Sequence, residues 1–509
     1  RIVHRLKDGI QNDVVSAIAD KLNKTDLIQN NDGLLSLDLP KDVTHPGAIK
    51  TLNEDLLPAM KEVGDKFGSG ELILPFVLKS AECMKASVGE LEKYLVKEEG
   101  TSKGTLVLGT VYGDVHDIGK NLVKTIFQNN GYSVYDLGKQ VPLQKFLEKI
   151  DEVKPDAIGL SALLVSTSKQ MKFFVEHARK NNMTVPILCG GAAINSNYIN
   201  RIAKEGGIYD PGVFYCNTMF EGLKTMDTLI SDDKPKLLEE WKTKLENWKE
   251  RTNTPVDPST LPRSNVQTVD PPTPKIIGEP IRLKLDQINM GEVWTMIDKK
   301  SLFKLSWGLR GKAGAESEEE HEQLLTEWKI RIIRDKLIEP EVVYGYFKCH
   351  NAGQKLLVEN PSGDDVEFDF PRSTKPEHLC LTDYFGTDDV VAFQSVTVGT
   401  KVSDVLETWN DEDKYTDAYY LHGLAVELAE ALAQWINQKI KSELNLVKGA
   451  LRYSWGFPSC PDVSQHHLVW KLLEPEKSGM TLTESGQIIP EQSTAAIVIH
   501  HPDAKYFVI

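Results

Sequence analysis

An alternation of short apolar runs and helix-like stretches between residues 104 and 218 restricts the fold more than any other feature of the chain. The apolar runs are TLVLGTV, YSVYDLG, DAIGLSALL, VPILCGG and GVFYCN. The stretches between them are DIGKNLVKTIFQNNG, PLQKFLEKIDEVK, STSKQMKFFVEHARKNN and NSNYINRIAKEGG. Strands that are apolar throughout and alternate with helices are typical of a parallel sheet covered on both faces. The sequence therefore predicts a doubly wound α/β domain with its ligand site at the carboxyl ends of the strands.

The chain before this region has a different periodicity. The stretch GIQNDVVSAIADKL places apolar residues at Ile10, Val14, Ile18 and Leu22, which is the spacing of one helix face. TLNEDLLPAMKEVGDKFG and LPFVLKSAECMKASVGELEKYL continue the pattern. Helices joined by short connections predict a small N-terminal bundle.

Residues 252–280 contain seven prolines without apolar periodicity, which is typical of a stiff linker between domains. Beyond them, YLHGLAVELAEALAQWINQKIKSEL predicts a long helix, and VVYGYFKC, KLLVEN and VVAFQSVTVG predict strands. The linker and the polar stretch 97–104 are the expected hinges. We expect a multidomain α/β protein with a helical bundle (1–97), a doubly wound parallel-sheet domain (98–235), a linker that opens with an exposed helix (236–280) and a mixed α+β domain (281–509).

Composition excludes several classes of function. The net charge of -15 argues against general binding to nucleic acid or to anionic membranes. No apolar run is long enough to span a bilayer. The six cysteines are scattered and form no CxxC pair, which argues against a disulfide framework or a cysteine-rich zinc site and favours a reducing cytoplasm. Because the first residue is Arg1, we expect a fragment of a longer polypeptide.

The loop after the first apolar run carries the strongest candidate site, GTVYGDVHDIGKNLV. Asp114 lies two residues before His116, and a carboxylate on one imidazole nitrogen makes the other a better metal ligand. Gly119 is expected to give close backbone packing where the loop enters a helix. Gly190 and Gly191 end the fourth run, where glycines leave room for a flat, bulky ligand.

Together these residues resemble the DxHxxG, SxL, GG signature of cobalamin-binding domains. The resemblance implies that His116 replaces the cofactor's own base as the lower ligand of cobalt, within a triad with Asp114 and the hydroxyl of Thr167, where the family usually has serine. It also implies that the displaced nucleotide tail enters a channel in the sheet. The matching residues are Asp114, His116, Gly119, Ser161, Leu163, Gly190 and Gly191. The further implied cofactor contacts are Gly113, Val115, Asp117, Val165 and Thr218.

The segment VGDKFGSGELILPFVLKSAECMK is similar to the cap module of cobalamin-dependent methyltransferases. The resemblance implies that Phe67 and Leu74 cover the cobalt-bound methyl group, with Asn53 as another contact on the upper face. Read from periodicity alone, Phe67 and Leu74 are ordinary core residues of the bundle. Cobalamin mutases have the histidine signature without the cap, so the cap favours methyl transfer.

RYSWGFPSCPD, residues 452–462, resembles the RxxxGYPACPD motif of the adenosylmethionine-binding activation domain of cobalamin-dependent methionine synthases. Phe457 stands where the family usually has tyrosine. The resemblance implies that Asp298 binds the ribose or amino group of adenosylmethionine, that Glu430 lies near the ammonium, and that Arg452 holds the carboxylate. The other implied contacts are Gly456, Phe457, Pro458, Val498 and Ile499.

The resemblance covers the chain in the order cap, cobalamin domain, activation domain. It implies that these modules correspond to the C-terminal half of the proteins of that family. It implies methyl transfer through methylcobalamin to homocysteine. Reactivation would use S-adenosylmethionine and one electron from a flavodoxin-type or diflavin reductase donor. The homocysteine and folate modules are missing, so zinc is expected only in the missing N-terminal half.

Two other interpretations stay open at this point. The chain could be a cobalamin-binding carrier or sensor without catalysis, which would not bind adenosylmethionine. It could also be an adenosylmethionine-dependent methyltransferase whose α/β domain binds no corrin.

Overall fold

The computed structural model describes residues 1–24, 27–96, 102–116, 118–249, 260–309 and 318–509. The chain divides into two compact units. The first comprises residues 1–250, 307–321 and 408–419, and the second comprises residues 251–306, 322–407 and 420–509. No helix among the described residues combines the length and the apolar character that a membrane span requires.

The N-terminal region is helical, as the sequence predicts. A two-stranded hairpin, β1 (Ile28–Gln29) and β2 (Leu35–Ser36), follows the first helix. Val15, Ile18 and Val77 are completely buried, so the predicted apolar face packs inside the bundle. The helices are α1 (Ile10–Lys21), α2 (Lys41–Thr51), α3 (Leu57–Gly68) and α4 (Leu74–Leu91).

A five-stranded parallel sheet follows, which confirms the doubly wound α/β prediction. Its strands are β3 (Thr105–Thr110), β4 (Ser133–Asp136), β5 (Ala157–Ser161), β6 (Ile187–Gly190) and β7 (Val213–Tyr215). The helices between and after them are α5 (Ile118–Asn129), α6 (Leu143–Val153), α7 (Val165–Lys180), α8 (Ser196–Lys204) and α9 (Met219–Leu229). The strand order is β4-β3-β5-β6-β7, so the connections reverse direction between β3 and β5. A ligand site is expected at that switch point.

Helix α10 (Lys234–Asn247) corrects the expected start of the linker at residue 236. Leu245 is 1% exposed, and the indole N–H of Trp241 donates to the carbonyl oxygen of Val213 at 3.1 Å. The helix therefore packs against the parallel sheet on one side instead of standing exposed.

The C-terminal region contains an antiparallel sheet with helices, as the mixed pattern predicts. The sheet order is β11-β10-β9-β12-β16-β13, and β8 pairs with β9. The residues Leu421, Leu424, Leu428 and Leu432 are at most 1% exposed, which confirms the apolar stripe of the long helix. The strands are β8 (Ile281–Leu283), β9 (Glu341–Ala352), β10 (Lys355–Val358), β11 (Val366–Asp369), β12 (Asp389–Thr397), β13 (Leu451–Ser454), β14 (Thr481–Leu482), β15 (Ile488–Ile489) and β16 (Ser493–Ile499). The helices are α11 (Met290–Thr295), α12 (Lys299–Ser301), α13 (Glu318–Asp335), α14 (Lys401–Asp411), α15 (Tyr415–Glu443) and α16 (His466–Leu473).

The proline-rich linker forms hydrogen bonds with the second unit along much of its length. The predicted hinge at residues 252–280 is therefore too long. The hydroxyl of Ser264 donates to Asp383 at 2.7 Å, and the backbone N–H of Gly278 donates to Tyr346 at 2.7 Å. The carbonyl oxygen of Gln267 lies 2.6 Å from Nε2 of His501. These bonds attach residues 264–278 to the second unit. The remaining hinge predictions, at 252–259 and 97–101, lie outside the described residues.

Candidate functional site

The loop from β3 to α5 begins with a tight turn. Gly113 has a φ of 79°, which favours glycine, and the backbone N–H of Asp114 donates to the carbonyl oxygen of Val111 at 3.0 Å. The hydroxyl of Thr110, the last residue of β3, donates to the carbonyl oxygen of Asp114 at 2.7 Å. The turn thus fixes the backbone that carries Asp114 and His116 at the carboxyl edge of the sheet.

The Asp114 carboxylate is completely buried and accepts four hydrogen bonds. Oδ1 accepts from the backbone N–H of His116 and lies 3.0 Å from the ring Nδ1 of His116. Oδ2 accepts from the backbone N–H of Leu163 at 2.8 Å and from the hydroxyl of Thr167 at 2.7 Å. Burial alone would raise the pKa of Asp114, but the bonds from His116, Thr167 and Leu163 outweigh it and hold the pKa below its ordinary value. The buried carboxylate is therefore charged.

The contact with Asp114 defines the chemistry of the His116 ring. Because a carboxylate only accepts hydrogen bonds, Nδ1 carries a proton, and Nε2 is the nitrogen that offers a lone pair when the ring is neutral. A neutral imidazole held in this way is a metal ligand of raised basicity. The side chain of His116 is 20% exposed, so a ligand can reach the ring. The predicted triad of His116, Asp114 and Thr167 is thus brought together.

The last residues of three adjacent strands lie side by side along the same edge. Thr110 pairs with Ser161, and Ser161 pairs with Gly190. A Cβ on Gly191, which has a φ of 119°, would lie 2.1 Å from the carbonyl oxygen of Ala162, so this position requires glycine. A Cβ on Gly190 would lie 3.5 Å from the nearest atom, so the glycine leaves space that a side chain would fill. Ser161 and Gly190 therefore lie side by side at the carboxyl edge of the sheet.

Gly119 is a correction to the sequence analysis. It lies in the first turn of α5, where a Cβ would meet no heavy atom of the described residues within 4 Å. The expected close backbone packing is wrong, because the neighbouring space is open. Open space beside the His116 loop is what a flat macrocycle with a metal at its centre needs. The open space at Gly119 and an imidazole bound through Nδ1 to Asp114 fit a cobalt corrin.

The other predicted contacts of the sheet edge differ in their environments. Val115 is 5% exposed, whereas the side chain of Leu163 is 39% exposed and only its backbone N–H contacts Asp114. Thr218 is the N-cap of α9 and accepts from the backbone N–H of Glu221 at 3.1 Å. Asp117 and the side chain of Val165 lie outside the described residues.

The predicted cap residues lie at the edge of the helical bundle. Phe67 and Leu74 are half-buried against its core, and Asn53 is exposed. The ring of Phe67 packs against Phe220 of α9, with ring centres 5.1 Å apart. A Cβ on Gly64 would lie 3.0 Å from the Phe220 ring, so this glycine allows the approach. Phe67 and Leu74 are therefore neither fully buried nor fully exposed.

A second cluster of charges lies on the antiparallel sheet and α15. Arg452 on β13 forms an ion pair with Glu430, and its neighbour in the sheet is Val498. Glu427 lies one turn from Glu430 and accepts from the hydroxyl of Ser306 at 2.8 Å. Burial raises the pKa of Glu427, and the charges of Asp298 and Glu430 act in the same direction. Arg452 and Glu430 are therefore in direct contact, and Asp298 lies close enough to Glu427 for its charge to act on that carboxyl group.

The other predicted contacts of this region are Asp298 and residues of β16. The Asp298 side chain accepts from the backbone N–H groups of Lys300 and Ser301, which lower its pKa. Val498 pairs with Ala392 on one side and with Arg452 on the other, so both neighbours in the sheet engage its backbone. Ile499 pairs with Leu451 and is completely buried.

The motif at residues 456–462 forms a tight turn after β13. Gly456 has a φ of 94°, and its backbone N–H donates to the carbonyl oxygen of Cys460 at 2.8 Å. Phe457, at the tip with Pro458, is 58% exposed, whereas Cys460 is 1% exposed. The exposed aromatic ring at the tip of this turn is available to a ligand.

Comparison with known proteins agrees with this arrangement. The family model described as "Vitamin B12 dependent methionine synthase, activation domain" matches residues 289–509, and two models described as "B12 binding domain" match residues 104–224 and 1–92. The methionine synthase of Mycobacterium tuberculosis is 34% identical over 93% of this chain and 44% of its own length. This chain thus combines B12-binding regions with the activation domain of vitamin B12-dependent methionine synthases.

The methionine synthase of Mycobacterium leprae is also 34% identical, over 93% of this chain and 45% of its own length. The chain thus spans less than half the length of these methionine synthases. Among solved structures, one described as the MetH reactivation domain bound to AdoHcy matches with a TM-score of 0.41 and 20% identity, covering 47% of this chain and 83% of that one.

The sequence patterns did not predict several contacts at these sites. The Thr110 hydroxyl and the Leu163 backbone N–H both bind Asp114, and Phe220 packs on Phe67. A polar residue at the end of an otherwise apolar strand, as Thr110 is in β3, could have indicated a contact with the loop that follows. Backbone donors and the pairing of distant aromatic rings leave no signal in a single sequence.

Thr167 offers a direct test of the Asp114 network. Thr167→Val keeps the shape but leaves a buried acceptor without its donor, so unfolding should become easier by about 1–3 kcal/mol. Thr167→Ser keeps the hydroxyl and should stay within ~1 kcal/mol of the original. Urea unfolding of the protein without cofactor measures both values, and equal losses would contradict the role of the hydroxyl.

The motif turn also depends on a buried histidine. Trp455 packs edge-on against His466, with ring centres 5.5 Å apart, and Nδ1 of His466 donates to the carbonyl oxygen of Gly486 at 2.7 Å. Burial lowers the pKa of His466 from 6.5 to about 4. The ring is therefore neutral in the folded protein at pH 7.

Stability should fall as pH decreases from 7 to 5. In this window the unfolded chain takes up a proton at His466 that the folded chain binds only near pH 4, which removes ~2 kcal/mol of unfolding free energy. His466→Asn keeps a donor for Gly486 but does not titrate, so it should lose this component. Urea unfolding of both proteins at pH 7 and pH 5 checks the prediction, and identical pH dependence would refute it.

Proposed function

We propose that the chain is the cobalamin-carrying and reactivating part of a methionine synthase. It would act in methyl transfer through methylcobalamin to homocysteine and in the reductive remethylation of the oxidised cofactor by S-adenosylmethionine. The observation that carries the proposal is the buried Asp114 carboxylate, which holds Nδ1 of His116 at the switch point of a parallel sheet and leaves Nε2 as the nitrogen for a metal. The family matches support the same assignment.

In this proposal, bound cobalamin supplies a cobalt ion that accepts and donates the methyl group. Nε2 of His116 would hold the lower side of the metal, while Asp114 and Thr167 keep the proton on Nδ1. Ser161 and Gly190 would border the nucleotide tail. Phe67 and Leu74 would exclude water from the upper side.

The charge cluster on α15 would bind adenosylmethionine. The Arg452 guanidinium suits the carboxylate of the ligand, because its planar donors match two oxygen atoms. Glu430 and Asp298 would face the ammonium and the ribose or amino group. Since Glu430 holds Arg452 in the free protein, the ligand carboxylate must compete with Glu430 for the guanidinium.

The partners follow from the proposed reaction. Reactivation needs one electron, so a flavodoxin-type or diflavin reductase donor is proposed. The homocysteine and folate modules, with the zinc of the homocysteine site, would belong to another part of the enzyme. The six cysteines are all free, which supports a cytoplasmic location.

The cobalamin assignment is tested by spectroscopy of the cob(II)alamin form. Electron paramagnetic resonance should show coupling to one axial nitrogen, because His116 is held as a ligand, and the coupling should disappear in His116→Gly. His177→Gly, on α7, serves as the control histidine and should keep the signal. Unchanged coupling in His116→Gly would refute the assignment.

The reactivation assignment is tested by calorimetric titration with adenosylmethionine. Arg452→Gln should weaken binding by about tenfold or more, because charge-assisted bonds of ~1.5–3 kcal/mol are lost. Arg334→Gln, at a position that is 67% exposed, is the matched control. A protein that binds cobalamin but not adenosylmethionine would instead be the non-catalytic carrier or sensor.

A further inference from the structure

A buried ion pair lies at the other end of the His116 loop. Lys120 is in the first turn of α5, and its side chain is 1% exposed. Its Nζ lies 2.6 Å from both carboxylate oxygens of Asp136, the last residue of β4, and 2.6 Å from Oδ1 of Asn121. Lys124, one turn further along α5, lies 3.5 Å from Asp136 and is 37% exposed.

Hydrogen bonds connect this pair to the triad. Oδ1 of Asp136 accepts from the backbone N–H of Gly138 at 2.9 Å, and the carbonyl oxygen of Gly138 accepts from Thr110 at 3.1 Å. Thr110 in turn donates through its hydroxyl to the carbonyl oxygen of Asp114 at 2.7 Å. The loop that carries His116 is therefore fixed at its start by Asp114 and at its end by Lys120.

Stability alone does not account for such a pair. Removing two charges from water costs several kcal/mol per ion, and apolar residues of similar volume often serve the fold equally well. The pair does what apolar residues cannot do, because its directional bonds join the first turn of α5 to the end of β4. Strand β4 lies beside β3 on the side away from β5, and α5 is the next helix in the chain after His116.

We infer that Lys120 and Asp136 are positioning residues, which hold the loop so that the His116 ring lies where it can bind cobalt. The inference rests on the proposed cobalamin site. Neither residue is assigned contact with the metal or with the methyl group. Their effect passes through Gly138, Thr110 and Asp114 to the ring.

The test compares Lys120→Met with Lys124→Met, which removes the exposed lysine from the same helix and the same carboxylate. Cobalamin affinity is measured by absorbance titration, and axial nitrogen coupling by electron paramagnetic resonance of the cob(II)alamin form. Loss of a group that supports a metal ligand typically lowers affinity by about 10–100-fold, which is expected for Lys120→Met together with weaker coupling. Lys124→Met should match the original protein.

A double variant separates positioning from folding. Lys120→Met with Asp136→Asn leaves no buried charge and keeps an acceptor for Gly138, so its unfolding free energy should recover, and it carries the test if Lys120→Met does not fold. Positioning predicts that affinity and coupling stay low in the double variant. Original affinity and coupling in the double variant would overturn the inference while the cobalamin site stands. Absence of axial nitrogen coupling in the unaltered protein would overturn the cobalamin site and this inference with it.

Discussion

The carboxyl edge of the parallel sheet depends on one buried charge, the carboxylate of Asp114. Its four donors come from the His116 loop, from the end of β5 and from the first turn of α7, so the carboxylate joins three elements. A buried carboxylate without donors would cost several kcal/mol, so each of these contacts contributes to the stability of the fold. The same bonds decide which nitrogen of His116 carries the proton. Folding and ligand chemistry therefore rest on the same set of contacts.

The sequence predicts the parallel-sheet domain well because its signals are local. Every predicted strand and helix between residues 104 and 218 is present, since buried parallel strands are continuously apolar and their helices are amphipathic. The pairing of Asp114 with His116 could also be predicted, because they lie two residues apart in the sequence, and so could the closeness of Ser161 and Gly190, which end adjacent strands. In a parallel sheet the carboxyl ends of all the strands lie along one edge. Residues that follow different strands in the sequence therefore lie near one another in space.

The errors come from contacts between distant residues. Gly119 was expected to pack closely, but a glycine gives the same sequence signal whether a backbone or open space lies beside it. The proline-rich segment was expected to hinge, but Asp383, which forms a buried ion pair with Arg372, also accepts the hydroxyl of Ser264. No periodicity marks such single bonds. The expectation that α10 is exposed is wrong for one side of the helix only. Trp241 and Leu245 pack that side against the parallel sheet.

The two candidate sites differ in how far the protein alone has organised them. Around His116 the donors and acceptors are already paired as a metal ligand requires, so binding needs little rearrangement and its cost is low. At the α15 cluster, Arg452 is held by Glu430, and the half-buried Glu427 feels the charges of two other carboxylates, Asp298 and Glu430. A ligand with a carboxylate and cationic groups would separate Arg452 from Glu430 and neutralise the acidic residues. A ligand would therefore replace the ion pair between Arg452 and Glu430 when it binds. A resident cofactor suits the first arrangement, and a ligand that enters and leaves suits the second.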